Sequence, residues 1–198
     1  VSAPIDFHTF LRTRRSIRRF KPDPVPDSAI ERILATAAYA PSAHDLQPWR
    51  FAVMTTSVVK SRLGRALTSQ MRVDMQAEGA HETEIAKRVA NSLRRIDEAP
   101  AVILLCRDAA AVRTDAPEEV TMGIQSTALA GLQLLLAAHA EGLGANWICW
   151  PLYAQSASRA ALGLPKTWEP QAMIFVGYAA NIPEARERKL QDEIVIRR

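Results

Sequence analysis

Arg14-Arg15-Ser16-Ile17-Arg18-Arg19-Phe20 puts four arginines and a serine into seven residues, and Lys21-Pro22 ends the run. That is enough guanidinium to neutralise a phosphate dianion, with a hydroxyl to share the hydrogen bonding. Two backbone conformations are open. At a helix end, Arg14 and Arg18 share a face; in extended chain, Arg14, Ser16 and Arg18 share one. Either brings two cations onto one anion, and a plain basic surface patch competes with both. A second stretch answers it: Ala40-Pro41-Ser42-Ala43-His44-Asp45-Leu46-Gln47-Pro48-Trp49. Together the two suggest a site for a phosphorylated, flat, hydrogen-bonding cofactor.

Working outward, residues 4–13 read as a short helix on Ile5, Phe7, Phe10 and Leu11. The three prolines of Lys21–Pro26 exclude helix there. The next helix opens with Ser28 and Glu31 spaced as a capping box, Asp27 being a rival N-cap. Ile30, Ile33, Leu34, Ala37 and Ala38 form its inner stripe, and Pro41 ends it. Residues 50–55 read as a strand, 57–76 as a helix, and 82–97 as an amphipathic helix with Ile85, Val89, Leu93 and Ile96 inside. The outer residues of that last helix, Arg88, Arg94 and Arg95 among them, read as a solvated face or as a lid carrying cations to an acidic substrate. Pro100–Cys106 has the length of a strand buried on both faces. Residues 118–140 form the longest helix, apolar almost all round from Ala128 to Ala138, as a central or interface helix is. Gly142 is its C-cap. Strands are expected at Ala145–Trp150 and Ala172–Tyr178, with a helix at 155–162 between them. The polar, basic tail from 181 ends in the strand-like Glu193-Ile194-Val195-Ile196-Arg197, which points to pairing with another subunit. One α+β domain over 1–198 fits these elements, a small sheet wrapped by helices.

The chain has 198 residues, 48% hydrophobic and 23% charged, with a net charge of +4. That composition excludes disorder, and the mild basic excess favours anionic ligands without making a dedicated nucleic-acid binder. Cys106 and Cys149 read as two buried thiols in a reducing cytoplasm. The N-terminal Val1-Ser2-Ala3-Pro4-Ile5-Asp6 has no basic and apolar leader pattern, and no apolar run of about 18 residues suggests a membrane span. No metal-ligand spacing, P-loop, GxSxG or HExxH occurs, and Gly142-Leu143-Gly144 precedes a strand rather than following one, so it is not a dinucleotide fingerprint. His139 reads as a satisfied histidine on the buried helix; His44 gains interest from its place in the Pro41–Trp49 loop.

The order Arg14-to-Phe20, Pro24-Val25-Pro26, then Ala40-Pro41-Ser42-Ala43 to Gln47-Pro48-Trp49 resembles the opening of the nitroreductase superfamily of FMN enzymes. Gly142-Leu143-Gly144-Ala145-Asn146-Trp147-Ile148 is similar to that family's segment at the flavin N5, and Gly177-Tyr178-Ala179 with Arg186, Arg188 and Lys189 to its phosphate-binding tail. The resemblance implies a nitroreductase-like α+β fold, with a small mixed sheet in an intertwined homodimer with an exchanged C-terminal tail. It implies that Arg14 and Ser16, with Arg186 and Arg188, hold the FMN phosphate, and that Arg15 runs along the phosphate or ribityl chain. Arg18 would reach the flavin N1 and C2 carbonyl, where a cation favours the reduced, negatively charged ring. Pro41, Ser42, Ala43 and Asp45 would come from the partner subunit, and the backbone at Ile148, Cys149 and Trp150 would face N5. No catalytic side chain is implied, because the flavin carries the hydride chemistry. Where the family often has Gly-Asn, this chain has His44-Asp45, an aspartate that either opposes negative charge on the reduced ring or binds a neighbouring arginine; Trp150 replaces a small residue and covers one flavin face, narrows the substrate pocket or simply packs.

Within the family, Met71-Arg72-Val73-Asp74, Ala86-Lys87-Arg88-Val89, Asp97-Glu98-Ala99-Pro100, Glu119-Val120-Thr121-Met122 and Leu164-Pro165-Lys166-Thr167-Trp168-Glu169-Pro170 resemble the FMN-binding C-terminal domain of the bifunctional protein that completes coenzyme F-420. That likeness implies a cytoplasmic FMN-dependent oxidoreductase acting on a dehydro precursor of the deazaflavin. A general NAD(P)H-dependent nitro or quinone reductase with ping-pong turnover is the alternative, and a non-catalytic flavin- or deazaflavin-binding protein a third. No nucleic-acid or membrane partner is expected.

Overall fold

A computed structural model describes residues 6–198. Ile5 and the leader reading of the first residues lie outside the described part. Helix α1 spans Phe7–Thr13, with the Asp6 carboxylate accepting from the backbone of His8 and Thr9 at its start. The chain then runs extended to helix α2 (Asp27–Ala37), passes a single 3₁₀ turn at Ala43–Asp45, and enters strand β1 (Trp49–Met54). Helices α3 (Ser57–Ala77) and α4 (Glu82–Glu98) form a hairpin, followed by β2 (Ala101–Asp108) and the long helix α5 (Pro117–Ala140). Strand β3 (Gly144–Ile148), a 3₁₀ turn at Trp150–Ala154, α6 (Gln155–Leu162) and β4 (Trp168–Gly177) lead into the tail, which carries one helical turn, α7 (Gln191–Ile194).

The four strands pair in the order β1-β2-β4-β3. Every pairing between them is antiparallel, which corrects the expectation of a mixed sheet. Among the described residues, one isolated bridge, Ser16 to Ala145, runs parallel. The period-two alternation of the central strands sorts the core into two layers. Ala101, Ile103, Ile174 and Val176 face α2 and α5, while Val102, Leu104, Cys106, Met173 and Phe175 face α3, α4 and α6. Both faces of β2 and β4 are therefore covered, as their continuous apolar sequence requires.

Several boundaries move for local reasons. No capping box forms in α2; its N-cap is Pro26, and Asp27 is the first helical residue. β3 stops at Ile148 because Pro151 draws the chain into a 3₁₀ turn that takes Trp150 with it. β4 starts earlier than expected, because an irregularity opposite Leu105 and Cys106 admits Pro170 to the ladder. The tail's expected strand is α7 and irregular chain. Cys106 is buried and Cys149 exposed, since Cys149 lies beyond the end of β3; both are free.

By length and composition α5 is apolar enough to cross a membrane, with a mean hydropathy of 1.4 over an 18-residue window, 44% of it buried within the chain. Its inner face, including Ala130, Leu134 and Ala138, packs on the sheet. Its outer face leaves Val120, Ile124, Leu129 and Leu132 exposed.

Candidate functional site

The arginine stretch is extended. Ser16 bridges Ala145 in β3, and Ile17 N donates to Ala145 O at 3.0 Å. Ile17 is only 5% exposed, so the alternation of extended chain places Arg14, Ser16 and Arg18 on the opposite side. Gly144 permits this seat: a Cβ there would lie 2.5 Å from Ile17 Cγ1. The stretch then meets the start of the tail. Phe20 bridges Ala179 antiparallel, Lys21 N donates to Tyr178 O at 2.9 Å, and Ala180 N donates to Arg19 O at 3.0 Å. This pairing steers the tail back over its own chain's arginines.

The result is a cavity of about 250 Å³ lined by Arg14, Arg15, Ser16, Arg18, Pro183, Glu184, Arg186 and Arg188. Among the described residues, none of these five arginines forms a salt bridge, although Glu184 supplies one carboxylate to the lining. Arg15 Nη1 donates to Arg12 O at 2.6 Å and to Arg14 O at 2.9 Å, and Arg188 Nη1 to Arg186 O at 3.1 Å. Burial, and then the charges of Arg15 and Arg188, hold the Arg14 guanidinium below its ordinary pKa. Cations crowded in this way gain from an anion among them, and a phosphate fits the donor set. Beside the cavity, His139 pairs with Thr13 Oγ1 at 3.2 Å and lies 4.8 Å from the Phe10 ring. It is satisfied, as expected, but half-buried near the end of α5 rather than central.

A larger cleft of about 610 Å³ opens between the α3–α4 hairpin and the end of β3. Met71, Asp74, Met75 and Glu78 of α3 form one wall, and Arg88, Asn91, Ser92 and Arg95 of α4 another. Ile148, Cys149, Trp150 and Tyr153 form its floor. Trp150 does two jobs here, lining the cleft while packing against the core beneath α3 and α6. Trp147 Nε1 donates to Cys149 Sγ at 3.0 Å. Arg18 lines the arginine cavity, and its charge is felt at Arg95 in this cleft. The α3 wall and Tyr153 escaped the sequence reading, whose signal was the i, i+3, i+4, i+7 repeat of Met71, Asp74, Met75 and Glu78.

The Pro41–Asp45 loop stands apart. Pro41, Ser42 and Ala43 line a hollow against Met122, Gln125, Ser126 and Leu129 of α5, and they line neither of the other two. Ala43 N donates to Ser126 Oγ at 3.1 Å, and Gln47 N to Ser42 Oγ at 3.1 Å. His44, Asp45 and Gln47 all have positive φ, 54°, 54° and 46°. Gly and Asn suit such backbone better than His, which explains why a Gly-Asn pair is the easier sequence here. Asp45 accepts from Gln47 Nε2 at 2.9 Å and pairs with no arginine among the described residues of this chain.

Residues 11–178 match the description "Nitroreductase family". A Thermus thermophilus protein named NADH dehydrogenase is 34% identical over 188 residues, covering 89% of this chain and 88% of its own. A candidate nitroreductase from Desulfovibrio desulfuricans, solved in complex with FMN, superposes with a TM-score of 0.75 at 24% identity, covering 99% of each chain. A nitroreductase-like protein of Bacillus cereus superposes with a TM-score of 0.81 at 20% identity, covering 99% of this chain and 97% of the other.

Proposed function

The chain belongs to the nitroreductase family, and from that premise we propose that it is an FMN-dependent oxidoreductase moving a hydride from a nicotinamide donor to a small conjugated acceptor. The observation that carries this reading is the cavity of five arginines without an ion-pair partner among the described residues, in a chain that also has a cleft large enough for a flat ligand. FMN, when bound, accepts and returns the hydride at N5.

The residues present fit that cofactor. Arg14, Ser16, Arg186 and Arg188 would hold its phosphate, and Arg15 the chain beyond it. Arg18 stands between the cavity and the larger cleft, where its charge favours negative charge on the ring's N1 side. Backbone at Ile148, Cys149 and Trp150, which lines the larger cleft, would border the ring. Donor and acceptor would occupy the larger cleft in turn, which gives ping-pong turnover and needs no separate nucleotide fold. The site would become complete in a homodimer, in which a second copy brings its Pro41–Asp45 loop; if the tails exchange, that copy's Arg186 and Arg188 would take the place that the chain's own hold here. The single domain 1–198 is part of the same reading.

The α3–α4 hairpin that walls the cleft favours a narrower second reading, in which the acceptor is a dehydro precursor of coenzyme F-420. The test is the absorbance spectrum of the purified protein, mass analysis of its released cofactor, and NADH oxidation with a quinone. FMN near one per chain with turnover is expected. FMN binding without reduction by NADH or NADPH would leave a flavin-binding protein without turnover, and no FMN uptake would overturn the site.

A further inference from the structure

Helix α4 presents Arg88, Asn91, Ser92 and Arg95 to the larger cleft at i, i+3, i+4 and i+7, one stripe made wholly of hydrogen-bond donors. Two other cations of the hairpin are paired: Arg94 with Glu98 one turn on, and Arg72 with Glu82. Arg88 and Arg95 form no ion pair among the described residues. Burial raises the cost of the charge on Arg95, and the like charges of Arg18, Arg88 and Arg94 add to it. The cleft's carboxylates, Asp74 and Glu78, stand on the opposing helix, and Asp74 already accepts from Gln70 Nε2 at 2.8 Å. The cleft is thus polarised, acidic along α3 and basic along α4 towards Arg18, with Met71, Met75 and Trp150 as apolar surface for a ring. A solvated helix face is the competing account of these exposed arginines, but both line one cleft, within reach of each other's charge and without a carboxylate partner among the described residues.

We infer that Arg88 and Arg95 form an anion-binding subsite that takes a carboxylate or phosphate of the molecule entering this cleft. The inference rests on reading the cleft as the open side of the flavin. Two sources carry that chemistry, the acceptor's acid group and the phosphates of the nicotinamide donor.

Steady-state kinetics on the FMN-loaded protein separate them. The probes are 4-nitrobenzoate and neutral 4-nitrobenzyl alcohol as acceptors, and NADH and NADPH as donors. The variants are Arg88→Gln and Arg95→Gln, with Arg94→Gln as a control already paired outside the cleft. A rise of about tenfold in KM for 4-nitrobenzoate, with the alcohol unchanged, assigns the subsite to the acceptor's carboxylate. The same rise for NADPH, or for both donors, with the acceptors unchanged, assigns it to the donor's phosphates. All four KM values within about twofold of the parent in both variants overturn the subsite. A parent chain that takes up no FMN overturns the flavin reading instead. The subsite is then judged by equilibrium dialysis of 4-nitrobenzoate, which the parent must retain and Arg95→Gln must lose.

Discussion

Arg14 and Arg18 sit on one side of one extended stretch, yet they face different tasks. Arg14 is enclosed among cations in the cavity, whereas Arg18 also acts on Arg95 across the border with the larger cleft. Arg14→Ala is expected to weaken FMN binding by about 10- to 100-fold, the worth of a charged hydrogen bond, with little change in flavin potential. Arg18→Ala is expected to lower the potential. FMN titration and potentiometry on both variants check this, and an unchanged potential in Arg18→Ala would remove its assigned role. His139 adds a pH dependence. Burial first, then the charge of Arg14, hold its imidazole below the ordinary 6.5; a hydrogen bond with the Phe10 backbone opposes them, and Arg15 lowers it further. Just below pH 6.5 the unfolded chain therefore binds a proton that the folded chain refuses, so stability falls as pH drops through that window and returns as it rises. His139→Gln should flatten this slope in thermal unfolding followed from neutral to mildly acid pH. An equal slope in parent and variant would assign it to other groups.

At the scale of elements, the α3–α4 hairpin is tied down from inside. Lys60 of α3 is buried, and its Nζ donates to Asp97 O at 2.9 Å and Ala99 O at 2.7 Å, capping the end of α4. Burial holds this amine below its ordinary pKa while Asp97 opposes the shift. Lys60→Met keeps the aliphatic stem and strands two carbonyls, so it should destabilise the fold by about 1–3 kcal/mol. Urea unfolding measures it; a midpoint equal to the parent's would show that water serves those carbonyls. β3 supports the cofactor side in a different way. A side chain at Gly144 would collide with Ile17, so the arginine stretch is seated by the absence of a Cβ. Periodicity found the interior faces of α4 and β2 because burial repeats with the helix and strand periods. It did not find the early start of β4, because Pro170 marks a strand end unless a partner strand accommodates it.

At the scale of the molecule, the Pro41–Asp45 loop and the arginine cavity lie in separate hollows of one chain. The outer face of α5, with Val120, Ile124, Leu129 and Leu132, leaves an apolar surface beside that loop. If a second copy covers it, Ile124→Asp should shift sedimentation from dimer to monomer and lower FMN content together. A dimer that persists with full FMN would place the interface elsewhere.

The amino-acid sequence by itself determined the family, the cation-rich Arg14–Phe20 stretch, the α+β class and nearly every element. Those properties reside in local spacing: cations at fixed intervals, apolar residues at helix or strand period, prolines at breaks. The tertiary structure alone decided that all four strands run antiparallel, and that Arg186 and Arg188 return to Arg14 through the pairing at Phe20 and Ala179. It also set Arg88 and Arg95 along one open cleft, while Arg94 pairs with Glu98 outside it. Each of these depends on contacts between segments far apart in the chain, and no local pattern records which distant residue will stand opposite.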